Sequence, residues 1–273
     1  VKNLRLSVAV LGCMLLCGCV TPWNPGFKDY NYSVPKMIGY GCDNFWDTQD
    51  HPKMAKDLAS AGCNITSIEF FTHDKSKLLD PSSLAEPFAK LLQETRKRHI
   101  VIFVCIWNDN IGNGQGDNGH HDASYYMPQM RQARDIVMSH GPEGLIVQAV
   151  AETQTSGGSK FESESAAILN AAGFKTAYNH GSRPSSKDGC WVAAYHPCSL
   201  TDMGKDGQIV ISDCGIPIAF FGDGDKCAKK FNPSKCADWV GKVHAAGRGV
   251  VVYGFWNDPY DAATIKAVGA VNK

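Results

Sequence analysis

Apolar runs of strand length recur along the chain at residues 36–42, 64–71, 99–108, 144–153, 174–180, 190–198, 208–214 and 249–257. They are continuously apolar rather than alternating, as in strands covered on both faces by a parallel α/β arrangement. Between them the apolar residues shift to three- and four-residue spacing, which predicts helices over 51–61, 82–97, 126–139, 162–172, 233–246 and 262–271. Gly62, Gly173 and Gly247 stand where three of these helices stop. The connections after the fifth and sixth strands are short and only weakly helical. Eight strands alternating with helices predict a single closed (β/α)8 barrel over residues 36–273, with no internal domain boundary. An open doubly wound sheet is the alternative. The turn after the first strand, Gly41-Cys42-Asp43-Asn44-Phe45-Trp46, carries no GxGxxG to support it.

Composition adds a compartment to this picture. The chain has 273 residues, 44% of them hydrophobic, enough to bury a core of its own. Its 27 basic and 27 acidic side chains balance, and no basic run exceeds Arg96-Lys97-Arg98. That leaves no electrostatic footprint for nucleic acid. The eleven cysteines are many for a protein of a reducing compartment. Lys2 and Arg5 precede an apolar stretch from Leu6 to Leu16, which reads as a secretory signal too short to span a bilayer. It ends in Leu16-Cys17-Gly18-Cys19, which resembles the lipobox of bacterial lipoproteins. The resemblance implies a discarded signal over 1–18, acylation of Cys19, and an exported chain held at a bacterial membrane by its lipid alone. Simple secretion is the alternative. Residues 19–35, rich in Pro, Asn and aromatic side chains, then form a tether.

Eight cysteines remain beyond Cys19, an even number that suits a disulfide framework in an exported chain. Cys227 and Cys236 flank a short Lys/Pro/Asn-rich loop and form the best single pair. Cys190 and Cys198 pair with each other or with Cys214. Cys105, inside an apolar strand, reads as a buried thiol. The absence of CxxC and of any zinc-finger spacing argues against structural zinc.

In a parallel barrel the chemistry collects at the C-terminal ends of the strands. Here those ends are polar and aromatic: Asp43, Asn44 and Trp46; Glu69 and Phe70; Trp107, Asn108 and Asp109; Glu152; Asn179 and His180; Tyr195 and His196; Asp213; Trp256 and Asn257. Aromatic faces pack on the apolar face of a sugar ring, while carboxylates and amides take its hydroxyls. Glu152 follows the run Leu145–Ala151 and is expected at the barrel mouth; the alternative is a surface carboxylate opening a loop or capping a helix. Asp213 follows Ile209-Val210-Ile211-Ser212 and reads equally as a catalytic group or as an Asx-turn. Two carboxylates across such a cleft suit glycosidic cleavage, one protonating the leaving oxygen and the other attacking the sugar or activating water.

On Glu152, Tyr195-His196, a strand-seven carboxylate and Trp256, the chain resembles the glycoside hydrolase superfamily that includes the family 5 cellulases and mannanases. The resemblance implies Glu152 as acid/base, Asp213 as nucleophile or base, and Trp256 as the platform beneath the sugar. Two positions depart from that pattern. Ala151 stands where the superfamily has Asn, and Asp213 where it has Glu, so Glu69 or Asp109 are alternatives for the second carboxylate. Asp43, Trp46, Trp107, Asn108, Asn179, Tyr195, His196 and Trp256 are the expected substrate-binding set. A polysaccharide or oligosaccharide substrate, no cofactor or metal, and a monomer complete the expectation. His120 and His121, in a Gly/Asn/Asp-rich loop, read as part of a polar lid. A non-catalytic sugar-binding lipoprotein and a barrel lyase or phosphodiesterase using the histidines are the competing functions. No GxSxG elbow, P-loop or strand-one HxH is present.

Overall fold

The strands form where apolar runs meet β-branched and aromatic residues. They are β1 (Ile38–Cys42), β2 (Ile65–Glu69), β3 (Val101–Asn108), β4 (Leu145–Ala151), β5 (Lys175–Asn179), β6 (Val192–Tyr195), β7 (Ile218–Gly222) and β8 (Gly249–Gly254). The computed structural model describes residues 36–42, 50–70, 81–108, 123–151, 156–179, 192–195, 218–222, 233–245, 249–254 and 259–273. Each strand pairs in parallel with the next, and β8 returns to pair with β1, which closes the sheet. The helices are α1 (His51–Ala61), α2 (Ser82–Arg96), α3 (Met127–Ser139), α4 (Ser156–Ala171), α5 (Pro233–Ala245) and α6 (Pro259–Ala270). They follow β1, β2, β3, β4, β7 and β8; the segments after β5 and β6 lie outside the described residues.

Local chemistry sets the boundaries. Asp50 caps α1 by accepting a hydrogen bond from the Lys53 backbone N–H at 3.0 Å, and Pro52 occupies the first turn. Gly62 ends the helix with φ 106°, a left-handed conformation that a side chain would strain. Helix α4 begins at Ser156, six residues before the predicted Glu162. Gly157 and Gly158 weaken the helical pattern there, but both are buried, so packing overrides propensity.

Buried strand side chains divide by alternation. Ile38, Tyr40, Ile68, Ile102, Val104, Ile106, Val147 and Val252 join one apolar core with the helices, including Leu58, Phe88, Leu91, Val137 and Phe161. The alternate positions, Ile65, Ser67, Val101, Phe103, Cys105, Ile146, Gln148 and Val251, are buried on the other face, inside the barrel.

The join between β1 and β2 is unusual. β1 has five registered pairs with β8 but one with β2, Gly39↔Ile65. Beyond that pair the Asn64 backbone N–H donates to the Ile38 carbonyl at 3.0 Å, and side chains add further bonds. The Ile38 N–H donates to Asn64 Oδ1 at 2.9 Å, Asn64 Nδ2 donates to the Lys36 carbonyl at 2.6 Å, and Thr66 Oγ1 donates to the Tyr40 carbonyl at 2.8 Å. The two backbones run so close at Gly39 that a Cβ there would overlap the Ile65 carbonyl oxygen.

Two expectations are corrected. Strand seven is Ile218–Gly222, not 208–214. Cys236 is not half of a disulfide with Cys227. It is a fully buried thiol on the core face of α5. Cys63 and Cys105 are buried thiols as well, and no disulfide occurs among the described residues. Burial pushes the Cys63 thiol up to about 12, well away from reactivity. The other expected pairings lie outside the described residues, as do the signal and the tether through residue 35. Among the described residues, no helix is long and apolar enough to cross a membrane.

Candidate functional site

The C-terminal rim of the barrel is formed by the last residues of its strands, among them Glu69 of β2, Asn108 of β3, Asn179 of β5 and Tyr195 of β6. Register fixes how they stand to one another. Glu69 lies on a row with Cys105, Gln148, Ala177 and Val192 across five successive strands. Cys105 and Gln148 of that row are buried inside the barrel. Asn179 shares a row with Ala194, Ala219 and Gly249. Asn108 is registered with Ala151, one residue before Glu152. Tyr195 falls instead on the row of Phe220 and Val250, and Val250 belongs to the core beneath the helices.

The barrel interior changes character toward this rim. Such interiors are filled mainly with branched apolar side chains. Ile65, Val101 and Ile146 follow that rule, and then Ser67, Cys105 and Gln148 break it. Cys105 Sγ donates to the Trp107 carbonyl at 3.3 Å, and Gln148 Nε2 donates to the Val150 carbonyl at 3.1 Å. Buried polar groups without partners are costly, and these bonds satisfy them.

Trp107 departs from expectation. Rather than lining an open cleft, it is fully buried, its ring 5.1 Å from that of Tyr126. The 3₁₀ turn Ala123–Tyr126 leads into α3 and brings Tyr126 back over the end of β3. An indole covered in this way supports the wall instead of meeting a ligand.

Asp43, Trp46, Glu152, His196, Asp213 and Trp256 lie outside the described residues, as do Cys19, Asp109, His120, His121 and His180. The position of β7 nonetheless changes the reading of two of the chain's carboxylates. Asp213 precedes β7 by five residues instead of ending it, whereas Asp223 directly follows Gly222, the last strand residue. Its signal in the sequence was the run Ile216–Phe221 followed by Gly-Asp-Gly-Asp.

Among the described residues, no group of three or more His, Cys, Asp or Glu is placed to hold a metal ion. A cavity of about 470 Å³, lined by Glu86, Lys90, Arg96, Lys97 and His140 among others, lies outside the barrel at the C-terminal ends of α2 and α3. Those helix ends stand beside the N-terminal ends of the strands, away from the rim. Burial, aided by Arg96, lowers the His140 pKa there.

No protein-family profile matches the sequence, and no curated protein matches it. The fold does have relatives. An endo-1,4-β-mannanase from Rhizomucor miehei superposes with a TM-score of 0.57 at 10% identity, covering 86% of this chain and 94% of its own. The tri-modular family 5 (subfamily 4) endo-β-1,4-glucanase of Bacillus licheniformis gives 0.59 at 14% identity, over 88% of this chain and 60% of that one. A family 5 glycoside hydrolase from Prevotella bryantii B14 gives 0.53 at 10% identity, over 89% and 98%. The chain therefore has a parallel α/β fold similar to the barrels of family 5 glycoside hydrolases. At these identities the likeness is one of fold.

Proposed function

We propose that the protein is a glycoside hydrolase acting on a β-linked polysaccharide or oligosaccharide, with Glu152 as the proton donor. The observation that carries this reading is the position of Glu152, immediately after the last residue of β4 in a parallel barrel. Ile146 and Gln148 are buried inside the barrel, and counting on from them by twos gives residue 152 the interior parity. Solved structures of similar fold support the substrate class. They include an endo-1,4-β-mannanase and an endo-β-1,4-glucanase, and a further one is in complex with a cellotriose.

For the second carboxylate we assign Asp223, which follows β7 directly, in place of Asp213. Strand seven is three strands from β4 around the barrel, so a substrate entering the mouth passes between the two ends. Glu152 protonates the glycosidic oxygen, while Asp223 attacks the anomeric carbon or activates water. Glu69 is a weaker candidate, since its row meets β4 at Gln148, four residues before Glu152. The amide that the superfamily places before its acid is absent at Ala151, but the residue registered beside Ala151 is Asn108, an amide on the neighbouring strand.

The test is hydrolysis of β-glucan, β-mannan and xyloglucan by wild type, Glu152→Gln and Asp223→Asn. Wild type is expected to cleave at least one, and each variant to lose about 10²-fold or more in kcat. Glycan binding by wild type without cleavage of any substrate would favour a sugar-binding protein. Full activity of Glu152→Gln would remove the proton donor from the reading.

A further inference from the structure

At the rim, β3 and β4 outrun their neighbours. The registered pairs of β2 with β3 end at Glu69↔Cys105, and those of β4 with β5 end at Gln148↔Ala177. Between β3 and β4 the register continues to Trp107↔Val150 and Asn108↔Ala151. The tops of these strands are thus a two-stranded tongue without registered partners on either outer side among the described residues. Glu152 is covalently the next residue of that tongue.

At the base of the tongue, each strand carries one interior polar side chain that bonds two residues up its own backbone: Cys105 to the Trp107 carbonyl, Gln148 to the Val150 carbonyl. Both bonds begin where the flanking registered pairs stop. Gln148 is 1% exposed, and a buried carboxamide has little to recommend it over Met or Leu as filler. What the carboxamide adds is a hold on the peptide two residues before Glu152.

We propose that Gln148 is a positioning residue, whose hydrogen bond to the Val150 carbonyl sets the angle at which β4 delivers Glu152 to the glycosidic oxygen. The proposal rests on the reading of Glu152 as proton donor. Proton transfer tolerates little displacement: a misplacement of about 1 Å can cost about 10²-fold in rate. Met fills a similar volume and donates nothing. In Gln148→Met the tongue keeps its packing and loses the bond.

The readout is leaving-group dependence. Dinitrophenolate departs without a proton, whereas 4-methoxyphenolate needs one. Aryl β-cellobiosides and β-mannobiosides bearing each group are assayed with purified wild type, Gln148→Met and Gln148→Leu, alongside thermal melts. Expected is a loss of at least about tenfold in kcat/KM, which reports the first bond cleavage, on the 4-methoxyphenyl glycoside, with kcat/KM on the dinitrophenyl glycoside held within about twofold. Equal loss on both glycosides, no loss on either, or failure of both variants to fold would each overturn the proposal. Wild type inactive on all of these glycosides would strike at the glycosidase reading itself. Normal wild-type cleavage without the leaving-group effect would strike at Gln148 alone.

Discussion

Gly39 is the residue on which closure of the barrel depends most directly. It carries the single registered pair between β1 and β2, and the Ile65 carbonyl occupies the place of its missing side chain. Gly39→Ala is therefore expected to cost about 3 kcal/mol by forcing the seam apart, measurable by urea unfolding. A variant as stable as wild type would mean that the seam yields freely. The sequence alone presents Gly39 as one of two glycines in a short strand and gives no hint of this contact, because it depends on a backbone remote in the chain. Trp107 is a parallel case. Its place at a strand end was legible, but its cover by Tyr126 was not, since that comes from a turn beyond a long polar loop. Cys236 was read by its flanks as a disulfide partner, and it is the helical face of α5 that makes it a core group.

Among the elements, α1 was legible to the residue because its cap, its apolar spacing and its terminal glycine agree. β7 was not, since two adjacent apolar runs compete and pattern alone cannot choose the one that pairs with β6 and β8. That choice also decides which aspartate directly follows the strand in sequence. The α3–α4 contact carries a charge network with a definite acid response. Arg131 and Arg134 both donate to Glu164, at 2.6–3.0 Å, and hold its carboxyl down to about 2 from an ordinary 4.5. A carboxylate pKa depressed on folding stabilises the protein above the unfolded value, and that contribution fades as pH falls. Stability is expected to drop between about pH 4.5 and pH 2, in a slope that Glu164→Gln reduces. The same variant should cost about 1–2 kcal/mol at neutral pH, because Arg134, 8% exposed, loses a partner. An unchanged acid limb in urea melts of the variant would show that other carboxylates carry it.

Taken as a whole, the parallel α/β architecture follows from alternation of elements. The identity of the active pair does not, because it rests on strand boundaries accurate to one or two residues. We extend the proposal to the leader: Cys19→Ser in the full chain, expressed in a bacterium, is expected to move the protein from the membrane fraction to the soluble exported fraction. Retention at the membrane would rule out the lipid anchor. The uneven bonding of β1 has a consequence for the order of assembly. Its main partner, β8, lies roughly 200 residues downstream, while the strand made next after it offers one registered pair. During synthesis, then, the first strand waits for the last. A nascent chain of this design stays open until nearly all of it has emerged.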